Sequence, residues 1–361
     1  MKKVYNFSAG PASLPDDVMR VAHEEFLNYQ NSGMSVMGMS HRSKIYLDIF
    51  EGARNDLRKL LKVPDNYEIL FLQGGATMQF SMVPMNLLKN GKADYIVTGH
   101  WSKQGYEEAQ KYGDIRLVAS SEDKNFSYIP DVDNMTFRED ADYVCITDNN
   151  TIYGTKFPKY PDTKGIPLVN DASSSILSEP MDVSQFGLIY MGAQKNVGPA
   201  GTTIVIIRKD LIREDLKPDT PILLRYDTHA NKASMYNTPP TYAVYMCGLV
   251  FKWLLDMGGL EVIKQKNIDK AKVLYDYLDN SKLFIAPVAK KDRSLMNVCF
   301  HTGSKELDAK FCKEAEENGF VSLKGHRAAG GMRVSIYNAM PKEGVEALVK
   351  FMAEFEKNNR G

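Results

Sequence analysis

The strongest constraint on this chain is a pattern that recurs between residues 67 and 209. Short apolar runs, bounded by turn residues, are separated by stretches of helical character. The runs are "YEILFL" (67–72), "ADYIVTG" (93–99), "IRLVAS" (115–120), "ADYVCIT" (141–147), "IPLVNDASS" (166–174), "FGLIYMGAQK" (186–195) and "TTIVIIRK" (202–209). They lack the apolar–polar alternation of a half-solvated strand, so both faces must be buried. Runs of this kind, interleaved with helices such as "SKQGYEEAQKYG", predict an α/β fold: a mostly parallel, seven-stranded sheet flanked by helices.

After about residue 240 the texture changes. "YAVYMCGLVFKWLLDMGG" (242–259) is a long apolar helix candidate stopped by Gly258 and Gly259, and "LEVIKQKNIDKAKVLYDYLDNS" (260–281) continues at helical spacing. Strand-like "LMNVCFHT" and "MRVSIYN" then mix with helix-like "KELDAKFCKEAEENG" and "KEGVEALVKFMAEFEKN". This predicts a large domain over 16–257 and a smaller α+β C-terminal domain over 258–361. The segment 1–15, with "YNFSAGP", is too short to fold alone and is expected to dock as an arm on the small domain.

The charges exclude some partners. Lys+Arg and Asp+Glu number 45 each, so the formal net charge is zero and no electrostatic case for nucleic acid exists. No apolar run approaches the roughly 18 residues that cross a bilayer, and the N-terminus has no apolar secretory segment. Cys145, Cys247, Cys299 and Cys312 never form CxxC and read as reduced thiols of a cytoplasmic protein. The six histidines show no ligand spacing, so no metal site is expected.

Four features lie at the C-terminal ends of expected strands, where open α/β sheets bind ligands. "LQGGATMQF" (72–80) puts a glycine pair before a helix expected to start near Thr77, a geometry that suits an anion. It is neither GxGxxG nor a P-loop, and a plain strand–helix turn explains it equally well. Trp101 in "TGHWSKQG" is one of two tryptophans, either a core anchor or a flat platform under an aromatic ligand. Asp171 ends an apolar strand, where a carboxylate needs a partner: a helix cap or a cationic ring nitrogen. Lys195, in "MGAQKNVGPAG", is a solvated turn residue or an amine whose pKa is lowered by burial, the kind that forms Schiff bases. Together these are the protein groups that pyridoxal phosphate needs, on successive βα units.

The chain resembles the phosphoserine aminotransferases, a branch of the class V, fold type I pyridoxal-phosphate enzymes. The resemblance covers nearly the whole chain. It rests on "FSAGPASLP" (7–15), "SVMGMSHRSK" (35–44), "FLQGGATMQF" (71–80), "NDASSSILSEPMDVSQFGLIYMGAQKNVGPAGTTIVIIRKDL" (170–211), "SMYNTPPTYAVY" (234–245) and "KGHRAAGGMRVSIYNAMP" (324–341). It implies pyridoxal 5'-phosphate as cofactor, with Lys195 as the Schiff-base lysine and Asp171 as the acid at the pyridine nitrogen. It makes Trp101 the ring-stacking residue and Thr151 the neighbour of the ring hydroxyl. Ala76, Thr77 and Gln194 become phosphate-cup residues. Asn237 and Thr238 would reach that phosphate from the partner subunit of a homodimer with shared active sites. Some relatives carry arginine where this chain has Thr77; a hydroxyl and backbone N–H still suit a phosphate, with a different charge balance.

The implied substrates are glutamate and 3-phosphohydroxypyruvate, each with two anionic ends that need fixed cationic donors. The resemblance assigns Arg333 to the α-carboxylate. It assigns the pairs His41–Arg42 and His326–Arg327 to the phosphate or the glutamate side-chain carboxylate. One pair would come from the partner subunit, and the sequence does not say which. Ser8 and Ala9 in "FSAGP" are further pocket candidates. Whether 4-phosphohydroxythreonine is also a substrate stays open. The nearest alternative is another class V aminotransferase, such as an alanine–glyoxylate or serine–pyruvate enzyme, whose substrates would not need two His-Arg pairs. A cysteine desulfurase would need a mobile cysteine, whereas the four here lie mostly in strand-like or helix-like segments. A non-catalytic binding protein of the same fold would not be expected to keep both Lys195 and Asp171.

Overall fold

The computed structural model describes residues 3–359. In chain order the elements begin with β1 (Tyr5–Asn6), α1 (Asp16–Glu24), α2 (Lys44–Leu61), β2 (Tyr67–Leu72), α3 (Gly75–Leu87), β3 (Lys92–Val97), α4 (His100–Ala109) and β4 (Asp114–Ser120). There follow β5 (Tyr143–Thr147), the short pair β6 (Asn149–Asn150) and β7 (Thr155–Lys156), β8 (Leu168–Asp171), β9 (Leu188–Gly192), β10 (Thr203–Arg208) and α5 (Tyr226–Ala230). The chain ends with α6 (Thr241–Asp256), α7 (Leu260–Asn280), β11 (Asn297–Phe300), α8 (Lys305–Glu317), β12 (Phe320–Val321), β13 (Met332–Ser335) and α9 (Lys342–Asn359).

All seven expected strands join one sheet, in the order β2-β10-β9-β8-β5-β3-β4. β10 runs antiparallel to both its neighbours, and every other pairing is parallel. The continuous apolar runs have a simple cause. Ile69, Phe71, Ile189, Met191, Ile204 and Ile206 face one core, while Leu70, Leu72, Leu188, Tyr190, Val205 and Ile207 face the other. With side chains alternating between faces, a strand covered on both sides must be apolar at every position.

Helix α2 has no counterpart among the segments singled out above. Ser43 caps it by accepting from the Tyr46 amide, and Tyr46, Ile49, Phe50, Ala53 and Leu57 form its buried stripe. The glycine-opened helix α3 starts at Gly75 rather than near Thr77, because Gly74 and Gly75 both take positive φ (92° and 71°) and turn the chain two residues earlier.

A separate apolar cluster gathers Phe7, Phe284, Phe300, Phe311, Val334 and Phe355. The N-terminal strand β1 pairs in parallel with β12, which seats Phe7 there. Helix α7 spans the two cores: Leu260 and Ile263 pack with the large sheet, and Ala271, Leu274 and Leu278 with the second cluster. Along that helix Asn267 donates to Ser178 O (2.9 Å) and Asn338 Oδ1 (2.8 Å). Lys270, only 3% exposed, donates to the carbonyls of Tyr337 (2.7 Å) and Met340 (3.1 Å).

Lys270 forms no salt bridge among the described residues, and burial pushes its pKa down to about 7. A lysine depressed in the folded state is neutral there while still protonated in the unfolded chain, so stability rises with pH between about 7 and 10.5. Relative to Lys270→Met, the wild type is expected to gain up to about 1.4 kcal/mol per pH unit across that window. Guanidinium unfolding of both proteins at several pH values checks this; a flat difference would refute it.

Candidate active site

The ends of β2, β3, β5, β8 and β9 lie along one edge of the sheet, and the loops that leave them carry the candidate residues. Lys195 sits three residues past β9. Its side chain is half-buried, and Nζ donates to Thr151 Oγ1 at 2.8 Å. Burial lowers the amine to a pKa of about 8; Asp171 opposes the shift and Arg333 adds to it. The N-terminal arm lies against the lysine stem. A β-carbon on Gly10 (φ 141°) would stand 3.4 Å from Lys195 Cγ, and Ala12 N donates to Gln194 O at 2.8 Å.

Asp171 closes β8 and is 5% exposed. Its Oδ1 accepts from Ser173 N (3.0 Å) and Ser173 Oγ (2.6 Å), while Oδ2 accepts no hydrogen bond among the described residues. Burial raises its pKa, the Ser173 bonds and Lys195 pull it back, and neighbouring Asp148 raises it further. A buried carboxylate with one free oxygen suits a cationic N–H donor.

Trp101 stands in the first turn of α4, whose start is pinned by Ser102 Oγ. That hydroxyl accepts from Thr98 N (2.9 Å) and Gly99 N (3.0 Å). No side chain caps α3, so its first amides are free for an anion. Ala76 is half-buried and Thr77 exposed in that turn.

Arg333, on β13, reaches over from the second cluster: Nη1 lies 3.4 Å from Thr151 O. Neither Arg333 nor Arg327 has an acidic partner among the described residues. Tyr337 donates to Ala9 O at 2.8 Å and so ties "FSAGP" to the strand exit after Arg333. Ser8 makes a local bond, its amide donating to Asn6 Oδ1 at 3.0 Å. The His326 ring lies 5.6 Å from that of His100, and its pKa is lowered by burial, His100, Arg333 and Arg327.

The structure thus gathers Lys195, Asp171, Thr151, Arg333, the 8–12 segment and the His326 loop in one chain. It does not bring in the other His-Arg pair. His41 and Arg42 lie in the turn before α2, and no hydrogen bond, ion pair or ring contact among the described residues joins either to the Lys195 cluster. Asn237 and Thr238 are exposed; the one tie among the described residues is Gln73 Nε2 donating to Thr238 O at 3.1 Å. Sequence reasoning missed Ser173 and Tyr337. A serine two residues after an aspartate is a recognisable turn signal, but Tyr337 meets Ala9 across most of the chain's length, and nothing local announces that.

Comparison with known proteins agrees with this geometry. The family model "Aminotransferase class-V" matches residues 4–348. A phosphoserine aminotransferase of Nitrosomonas europaea is 54% identical, over 99% of this chain and all of that one. The solved phosphoserine aminotransferase of Bacillus circulans subsp. alkalophilus superposes with a TM-score of 0.97, at 46% identity and 99% coverage of both chains. The PLP-bound phosphoserine aminotransferase of Trichomonas vaginalis gives 0.93 at 39% identity, over 97% of this chain and all of that one. A buried lysine and carboxylate at neighbouring strand ends, in a chain matched along nearly its whole length, place this protein in the class V aminotransferase family, among the phosphoserine aminotransferases.

Proposed function

We infer that the protein uses pyridoxal 5'-phosphate to move an amino group between glutamate and 3-phosphohydroxypyruvate, giving O-phospho-L-serine and 2-oxoglutarate. The observation that carries this reading is the Lys195–Thr151–Asp171 cluster: Asp171 keeps Oδ2 without a hydrogen bond among the described residues, and the Arg333 guanidinium beside the cluster has no acidic partner among them. The residues fit the cofactor. Asp171 Oδ2 would take the ring N–H, Trp101 would cover a ring face, and Thr151 would sit by the ring hydroxyl. Ala76 and Thr77, with Gln194, would hold the phosphate at the free amides of α3.

When bound, the cofactor supplies an aldehyde that joins an amine and a protonated ring that withdraws electrons from the substrate α-carbon. The chain does the rest. Lys195 Nζ, with its proton affinity lowered, takes the proton from the substrate α-carbon and returns it on the other side of the transfer. Arg333 holds the α-carboxylate through charge-assisted bonds, which fixes the α-carbon beside Nζ. His326 and Arg327 face the second anionic end. Asp171, kept ionised by the ring cation, holds the ring proton in place.

This reading makes the protein a homodimer. Leu27, Met34 and Met37 are exposed (Leu27 at 79%), an apolar surface that fits a second copy. His41, Arg42, Asn237 and Thr238, none of them engaged with their own chain's Lys195 cluster, would be supplied to the partner. Four free cysteines suit a reducing cytoplasm, and among the described residues no helix is long and apolar enough to cross a membrane.

The test is the absorbance spectrum of the protein loaded with pyridoxal phosphate, before and after O-phosphoserine, with alanine as comparison. The yellow band of the lysine-bound cofactor is expected to bleach with O-phosphoserine and to persist with alanine. Bleaching by alanine alone would move the function to a neutral amino acid. A protein that stays colourless would remove the cofactor altogether.

A further inference from the structure

His100 belongs to the "TGHWSKQG" segment yet has no role in the site as described so far. It is the first residue of α4, half-buried, and the Ser102 bonds to Thr98 N and Gly99 N fix the turn that presents it. Its ring meets two others. The Trp101 indole lies 5.1 Å away at an interplanar angle of 71°, and the His326 imidazole lies 5.6 Å away at 42°. The first is a neighbour in sequence. The second joins the start of α4 to a loop more than two hundred residues later, at the mouth that Arg327 and Arg333 also face.

We propose, on the functional reading above, that His100 is a further substrate-binding residue, which pairs with His326 to clamp a doubly charged phosphate end and so sets the preference for phosphorylated substrates. The charges around the pair are unequal. His326 faces His100, Arg327 and Arg333, and it lines a cavity of about 360 Å³ in which Lys305 and Lys324 outnumber Asp308. Cys312, the other titratable group there, is held neutral by burial. Two imidazolium rings in contact would repel each other, and the nearby arginines add to the positive charge, which lowers the proton affinity of His326.

A phosphate monoester carries close to two negative charges at neutral pH, whereas a carboxylate carries one. A dianion bound at the shared edge of the two rings would accept a hydrogen bond from each and offset the positive charge gathered there. A single carboxylate is already served by an arginine and has less to gain from the second ring. Arginines alone would bind both kinds of end; the paired imidazoles discriminate.

The experiment compares wild type, His100→Asn and His100→Gln, each loaded with pyridoxal phosphate. Half-reactions with O-phosphoserine and with glutamate are followed by the cofactor's absorbance, at several pH values from about 5 to about 8, the range in which histidine titrates. For both variants the apparent affinity for O-phosphoserine is expected to fall about tenfold, and that for glutamate to change less than about twofold. The wild-type efficiency with O-phosphoserine is expected to drop more steeply with rising pH than that with glutamate, and the variants to lose that difference. Cofactor affinity and the resting spectrum are expected to stay unchanged, which separates binding of phosphate from support of Trp101.

An equal loss for both substrates, an altered resting spectrum, or no loss at all would each overturn the role of His100. Wild type that reacts no better with O-phosphoserine than with serine would overturn the functional reading, and the proposal with it. Wild type that does discriminate, beside unaffected variants, would overturn the proposal alone.

Discussion

Lys195→Ala is expected to reduce turnover by at least about a thousandfold, because on the proposed reading the proton transfer at the substrate α-carbon loses the amine positioned for it. The neighbours of Nζ explain why nothing replaces it. Thr151 Oγ1, its hydrogen-bond partner at 2.8 Å, is a neutral hydroxyl, and the Arg333 guanidinium offers donors but no acceptor. Binding of pyridoxal phosphate should survive in the variant, because Asp171, Trp101 and the start of α3 are untouched. The check is single-turnover kinetics with O-phosphoserine, alongside a separate titration of cofactor binding. Added methylamine, a small free amine, should restore part of the rate. A variant that transaminates at the wild-type rate would refute the assignment of Lys195.

Asp171→Asn carries the second large effect. The substitution is nearly isosteric, and the asparagine Oδ1 can keep both bonds from Ser173. What changes is the other atom: on the proposed reading, the oxygen that would accept from the ring N–H becomes an amide that donates, so the ring proton would be lost. Removing one preorganised electrostatic partner of this kind lowers kcat by roughly a hundredfold to a thousandfold. KM for glutamate should move far less, since Arg333 and the His326 loop are unaltered.

The same substitution should act in the opposite sense on the cofactor-free protein. Burial raises the folded-state pKa of Asp171 above the ordinary aspartate value of 3.8. Such a group favours the folded state at low pH and loses that advantage as pH rises through the raised value, leaving a buried carboxylate with a free oxygen at neutral pH. The cofactor-free Asp171→Asn variant should therefore melt no lower than wild type at neutral pH while it turns over far more slowly. A large drop in melting temperature would show that Asp171 serves the fold rather than the cofactor.

Much of this was legible in the sequence. Each of the seven sheet strands coincides with an apolar run, because burial on both faces leaves a signature that needs no knowledge of neighbours; the exception is the edge strand β4, where Leu117 is 43% exposed and Ile115 alone is buried, so its run overstated the cover. Lys195 and Asp171 stood out for a related reason: a charged residue at the end of such a run has no cheap place to go unless something pairs with it. The second half of the fold, from α6 to α9, followed from helical spacing and glycine stops. Helix α2 was missed, because charged residues interleave with its apolar stripe from Tyr46 to Leu57, although the Ser43 cap was a local signal for its start. The start of α3 slipped by two residues because two glycines admit backbone conformations that other residues avoid.

The sequence by itself determined the seven strands of the large sheet and the helices from α6 onward, and it marked Lys195 and Asp171 near the ends of strands, since these depend on local spacing and on the cost of burying charge. The tertiary structure alone decided which distant residues meet there. It laid Gly10 against Lys195, set Tyr337 on Ala9, brought Arg333 to Thr151 and placed His326 against His100. It also left His41 and Arg42 outside their own chain's Lys195 cluster. The physical reason is the same in each case. Contacts between residues far apart in the chain arise from how whole elements pack, and no local periodicity, cap or charge pattern encodes them.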